Sequence, residues 1–133
     1  MRQVAAFPYR HAGGSAGTIE ILLVTSSSDS WIIPKGDVDG GMPPHRAAEK
    51  EAFEEGGVRG QIGDQPIGTF RTRKQQDGAA IPMEVDVFPL EVTEELERWP
   101  EMEQRERRWL ALDEAAETVR EPGLREIISA FRP

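Results

Sequence analysis

The sequence has no cysteine, which removes disulfides, thiolate metal sites and a cysteine nucleophile at once. It has only two histidines, His11 and His45, too few and too far apart along the chain to build a zinc cluster. No apolar stretch reaches the length of a membrane span or a signal-peptide core, and Met1-Arg2-Gln3-Val4 runs straight into a strand pattern. A cytoplasmic protein is expected, because a reducing compartment suits a cysteine-free chain. Positive charge is in deficit too: 24 acidic residues against 16 basic ones leave a net charge of −8. That balance argues against non-specific binding to nucleic acid or to anionic membranes. Internal repeats are absent, and the low-complexity stretch is the short run Ser26-Ser27-Ser28. At 133 residues the chain fits one domain, expected over residues 1–133, and hides roughly two thirds of its unfolded surface.

What the sequence does have is an acidic helix behind a glycine-rich loop. Glu51, Glu54 and Glu55 stand at i, i+3 and i+4, so on a helix they span about 100° of arc. Ala47 lies inside that arc and Ala48 at its edge, small enough for a neighbouring element to approach closely. Three carboxylates in the last helical turn oppose the macrodipole and repel one another, each at a cost of about 0.3–1 kcal/mol when exposed. By itself such a trio reads as a solvated face. The flanks change that reading. Pro43-Pro44 suit the first helical positions and Gly56-Gly57 supply a left-handed stop, so the helix is short. Ahead of it run the apolar strand Trp31-Ile32-Ile33-Pro34 and the loop Lys35-Gly36-Asp37-Val38-Asp39-Gly40-Gly41. Strand, glycine loop and acidic helix together make a cradle whose carboxylates and backbone carbonyls suit a divalent cation.

The segment Gly36–Val58 resembles the Nudix box, G-x5-E-x7-R-E-U-x-E-E-x-G-U with U a bulky aliphatic residue. Gly36, Glu51, Glu54, Glu55, Gly57 and Val58 match without gaps. Met42 stands where the first glutamate is expected, with Asp39 close by as partial compensation. Lys50 replaces arginine and keeps the charge without the planar fork, and Ala52 fills an aliphatic slot. Ala5-Ala6-Phe7-Pro8-Tyr9-Arg10, Glu20–Ser27, the Trp31–Gly36 lead-in and Glu106-Arg107-Arg108-Trp109 extend the likeness to most of the chain. They resemble the branch that includes diphosphoinositol polyphosphate and diadenosine polyphosphate hydrolases.

The resemblance implies a Mg²⁺-dependent pyrophosphohydrolase, with Mn²⁺ as a substitute, acting on a polyphosphorylated small molecule. Carried over position by position, Glu51, Glu55 and the Lys35 carbonyl hold the metal, and Glu54 is metal-associated and the general base. A glutamate in the loop before Trp109, Glu103, is the alternative base or a further ligand. Arg10, Arg105 and Arg107 clamp phosphates, with Ser26, Ser27 and Gly36 beside the ligand. Charge distribution fits a polyphosphate independently: Gly36–Val58 carries six acids and two bases, whereas Arg71–Lys74 and Arg105–Arg108 are basic islands. Met42 and Lys50 support another reading, a polyphosphate-binding module with impaired catalysis. Monomer and homodimer are both compatible with the sequence.

Strands are expected at Val4–Tyr9, Thr18–Thr25, Trp31–Ile33, Arg59–Gly63, Ile67–Lys74, Met83–Val92 and Arg107–Leu112. Gln75–Gly78 reads as a turn, Pro82 and Pro89 as marks of an edge or bulge, and Glu91–Glu106 as a mobile loop with a short helical piece. Two helices close the chain, one capped by Asp113 and one over Pro122–Phe131 with Leu124, Ile127, Ile128 and Phe131 on its apolar side. This order gives an α+β fold, and by the resemblance a Nudix-like α/β/α sandwich, a mixed sheet with helices on both faces.

Overall fold

Val4 to Phe7 are buried without a break, which fits a strand covered on both sides. The computed structural model describes residues 1–12, 18–26, 29–38 and 40–133. In it β1 (Arg2–His11) is the axis of a mixed sheet. Its two edges carry β7 (Ala79–Glu95) in parallel, and β2 (Ile19–Thr25) with β4 (Lys35–Asp37) antiparallel. Beyond β2 lie β3 (Trp31–Ile32) and β8 (Arg107–Ala111). Beyond β7 lie β5 (Val58–Ile62) and β6 (Gly68–Gln76).

The two faces of β1 sort by strand alternation. Ala5 and Phe7 point into a core with Leu23, Val87 and residues of α2 (Leu112–Thr118) and α3 (Pro122–Ala130). Val4 and Ala6 point the other way, into a core with Leu22, Leu90 and the alanines of α1 (Pro44–Gly56). The expected α+β sandwich, a mixed sheet with helices on both faces, is the observed one. Leu124, Ile128 and Phe131 are buried as their spacing predicts, and Ile127 packs at the margin.

Several details differ from the sequence reading. The glycine loop begins as a strand: β4 pairs Lys35, Gly36 and Asp37 with Ala5, Val4 and Gln3. β7 is interior, not an edge, and the irregularity near Pro89 sits across from it, between Arg59 and Gly60 of β5. The turn narrows to Asp77-Gly78, both with positive φ (52° and 81°), the two-residue hairpin that Asp-Gly favours. The acidic segment is strand through Glu95 and then a run of turns at Pro100–Gln104. Asp113 sits in the first turn of α2, where its Oδ1 accepts the Glu114 N–H at 2.9 Å, and the N-cap position is Ala111.

Candidate active site

Helix α1 starts after Pro43, with Pro44 at its first position, and stops at Gly57 in the left-handed conformation (φ 65°). Its buried side holds Ala47, Ala48 and Ala52, and these short side chains bring the helix close over β1 and β4. Glu51 and Glu55 are thereby pressed against the backbone of β4. Glu55 is 6% exposed, and its Oε1 accepts the Lys35 N–H at 3.1 Å. Glu51 lies directly over Gly36, where an added Cβ would overlap the carboxylate. Glycine is required there by this approach, with no unusual backbone angle involved. The two glutamates and the stretch Lys35–Asp37 line a cavity of about 470 Å³ that also reaches Lys50 and Lys74.

Burial sets the electrostatics. It pushes Glu55 up to about 8, with the Glu51 charge acting in the same direction. The Arg105 guanidinium pulls the other way, but its Nη2 stands 3.4 Å from Glu55 Oε2, and it shares its donors with Glu101 and the Thr25 carbonyl. Glu51 is raised as well, by burial first and then by Glu54. The two carboxyls hydrogen-bond to each other, so at neutral pH the pair holds a proton between them. Across the cavity, burial lowers the Lys35 ammonium, which donates to Gln3 Oε1 at 2.9 Å. Gln3, 3% exposed, donates in turn to Asp37 (3.2 Å), and Asp37 is held below the usual carboxylate range by its hydrogen bond from Lys74.

This donor set fits a hard cation of a particular kind. Among the described residues no three His, Asp or Glu side chains converge into a closed metal cage. Mg²⁺ does not need one, because it commonly takes one or two carboxylates and completes its shell with water and substrate oxygens. A buried carboxyl pair sharing a proton supplies those two ligands once the proton leaves. The backbone adds a third oxygen on the same side. Ala6 N–H donates to the Pro34 carbonyl at 3.0 Å, so strand alternation turns both the N–H and the C=O of Lys35 to the opposite edge, where Glu55 sits.

The remaining expected residues divide. Glu54 is half-buried beside the pair, close enough to raise Glu51. Arg105 is at Glu55. Ser26 lines an adjoining groove of about 350 Å³ that shares Gln3, Lys35 and Lys74 with the first and adds Arg73 and Glu121. Ser27 and Asp39 lie outside the described residues. Glu103 is exposed in the turns, and the glutamate of that segment nearest the pair is Glu101, whose N–H donates to the Glu54 carbonyl at 3.0 Å and whose charge reaches both Glu51 and Glu55. Arg10 is engaged elsewhere, by Glu20 (2.9 Å), Glu95 (3.6 Å) and the ring of Trp109 (4.0 Å). Arg107 spends its donors on backbone carbonyls at the end of α1. Neither is aimed at the cavity. Lys74 and Gln3 were not singled out by sequence: lysine in a basic run and glutamine near a terminus carry no signal until the register of β1, β4 and β6 brings them together.

A model of the NUDIX domain matches residues 1–131. The chain is 34% identical over 134 residues to Nudix hydrolase 4 of Arabidopsis thaliana, covering 96% of this chain and 63% of that one. It is 35% identical over 104 residues to diphosphoinositol polyphosphate phosphohydrolase 3-alpha of Mus musculus, covering 75% and 60%. Against Nudix hydrolase 21, chloroplastic, of A. thaliana it is 32% identical and spans 64% of that protein's length. The chain therefore spans just under two thirds of these relatives. Among solved structures, the C. elegans Ap4A hydrolase binary complex superposes with a TM-score of 0.68 at 21% identity, over 96% of this chain and 92% of that one. At that identity the likeness is one of fold.

Proposed function

The chain belongs to the Nudix family, and from that premise we propose that it is a Mg²⁺-dependent pyrophosphohydrolase, with Mn²⁺ as a substitute, that cleaves a phosphoanhydride bond in a polyphosphorylated small molecule. The observation that carries the reading is the Glu51–Glu55 pair, buried against Gly36 and faced by Lys35 and Lys74. Glu51, Glu55 and the Lys35 carbonyl hold the metal, which when bound neutralises phosphoryl charge and acidifies water. Glu54 takes the proton from the attacking water, with Glu101 as the alternative base in the adjacent turn. Lys35, Lys74 and Arg105 pair with phosphate oxygens that do not react. Water adds to one phosphorus, the bridging oxygen leaves with the other phosphate, and two phosphorylated products result.

The adjoining groove with Ser26, Thr72 and Arg73 supports a substrate that extends past the scissile bond. A dinucleoside polyphosphate or a diphosphoinositol polyphosphate has that reach. The names of an Ap4A hydrolase neighbour and a diphosphoinositol polyphosphate phosphohydrolase relative point to the same two classes. A cytoplasmic location follows from the cysteine-free sequence, although several relatives are named for chloroplast or mitochondrion. Among the described residues no helix is long and apolar enough to cross a membrane.

A second reading, a binding module with weakened chemistry, is favoured by Lys50 and Met42. Lys50 is exposed at the cavity rim and Met42 packs on the α1-side core, so neither takes the role of the residue it replaces in the motif. One assay separates the two. With Mg²⁺ and a panel of diadenosine polyphosphates, nucleotide sugars and inositol pyrophosphates, the enzyme releases phosphate or mononucleotide, and Glu55→Gln abolishes release. Binding without turnover on every substrate and metal would instead establish the module, as would a large gain of rate in the Met42→Glu, Lys50→Arg double variant.

A further inference from the structure

The end of α1 is an unfavourable place for glutamates. The last four carbonyls of a helix lack internal partners and form the negative pole of the macrodipole, and α1 has no basic residue in its last turn. The chain supplies the missing donors from 40 to 50 residues downstream. The N–H of Glu101 donates to the Glu54 carbonyl (3.0 Å), the Trp99 indole N–H to Glu55 (3.0 Å), Arg107 Nη1 to Gly56 (3.0 Å), and the Leu96 N–H to Gly57 (2.8 Å). Four successive carbonyls are thus satisfied by one segment. Arg107 also ties that segment to itself, through the Leu96 carbonyl (2.6 Å) and by stacking 3.9 Å from the Trp99 ring. Gly57 completes the fit: a Cβ there would stand 2.6 Å from Arg107 Nη1 and 2.8 Å from Trp99.

We infer that Leu96–Arg107 is a clamp that fixes the last turn of α1, with Trp99 and Arg107 as positioning residues that hold Glu51 and Glu55 in the geometry that receives the divalent cation. The inference rests on the hydrolase reading above for the identity of what the carboxylates hold. The argument is mechanical and electrostatic together. A cation and an indole N–H at the negative pole offset the charge that Glu54 and Glu55 add there, and they remove the freedom of a glycine-ended helix to fray. The same segment carries Glu101 and Arg105, so docking it on the helix end also sets the Arg105 guanidinium beside Glu55. Neither Trp99 nor Arg107 lines the cavity.

The test pairs metal affinity with amide exchange. Arg107→Ala is expected to weaken binding of Mn²⁺ alone, read by electron paramagnetic resonance, about 10–100-fold, the range typical of groups that orient metal ligands. Trp99→Phe, which keeps the ring and loses one hydrogen bond, weakens it about two- to tenfold. Arg107→Lys, which keeps the charge, falls between Arg107→Ala and the parent protein. In metal-free protein the amides of Glu54, Glu55 and Gly57 exchange faster in Arg107→Ala while those of β1 do not. Phe131→Leu, in the core on the opposite face of the sheet, controls for a general loss of stability and leaves Mn²⁺ affinity unchanged. Arg107→Ala binding Mn²⁺ within twofold of the parent, or Phe131→Leu losing as much affinity as Arg107→Ala, would overturn the clamp. If the parent protein takes up no Mn²⁺, the hydrolase reading fails. Exchange then decides alone, faster exchange at the helix end supporting the clamp and unchanged exchange refuting it.

Discussion

The two faces of the sheet are built for different tasks. Against α2 and α3 the sheet buries Phe7, Phe70, Phe131, Leu124 and Ile128, large side chains in close contact, and Phe7 and Phe131 lie 4.4 Å apart centre to centre. Against α1 it meets alanines, and the helix brings two buried acids with it. One face supplies hydrophobic stabilisation. The other gives some of it up so that carboxylates can be held dry, charged only at a cost, beside a strand edge. Stability and chemistry are thus separable in this fold, and substitutions on the two faces have different signatures.

The sharpest contrast is in turnover. Glu54→Gln is expected to lower kcat about 10²–10⁴-fold with little change in unfolding free energy, the range for removal of a general base, measured by steady-state kinetics with Mg²⁺. On the opposite face, Leu124→Ala is expected to cost about 2–5 kcal/mol in urea unfolding while the folded fraction keeps its kcat. An equal loss of kcat in Leu124→Ala would break the separation. Ala52→Leu sharpens it further. Overpacking the fully buried Ala52 costs about 1–3 kcal/mol and also lifts α1 from β4, so this variant loses both stability and metal affinity.

A subtler signature is the pH dependence of the metal-free protein. Glu55 is raised from 4.5 to about 8 by burial, so the folded state holds a proton that the unfolded chain releases. Its contribution is fully present below about pH 4.5 and is lost as pH rises through about 8. Thermal unfolding of metal-free protein is expected to show falling stability across that window. Glu55→Gln flattens the slope and raises Tm at pH 8 even as it removes activity, because a neutral side chain keeps the hydrogen bond from Lys35 without the buried charge. Last comes Arg10→Ala, whose partly exposed ion pairs are worth about 0–1 kcal/mol and whose loss leaves KM unchanged. A marked rise in KM there would return Arg10 to the substrate.

How far the sequence carried the account depended on whether function followed local periodicity. α1 was legible down to its ends, because Pro43-Pro44, the i, i+3, i+4 glutamates and Gly56-Gly57 all act within one helix. The strand pattern and the final apolar helix were legible for the same reason. The basic island Arg105–Arg108 was not. A strand turns alternate residues to opposite faces, so Arg107 goes to the end of α1 and Arg108 to Trp31, while Arg105, ahead of the strand, reaches Glu55. Glu101 and Glu103 could not be told apart either, since the turns at Pro100–Gln104 have no period that says which side chain faces inward. β4 was hidden by its glycine, and its pairing with β1 is what aligns Gln3, Lys35 and Asp37.

The central claim is that the Glu51–Glu55 pair exchanges its proton for a divalent cation. Calorimetric titration of Mn²⁺ into the protein near neutral pH, in buffers of different ionisation enthalpy, reads metal and proton together. The account predicts saturable binding with release of about one proton per metal, both lost in Glu55→Gln. Binding without proton release, or undiminished in Glu51→Gln and Glu55→Gln, would contradict it.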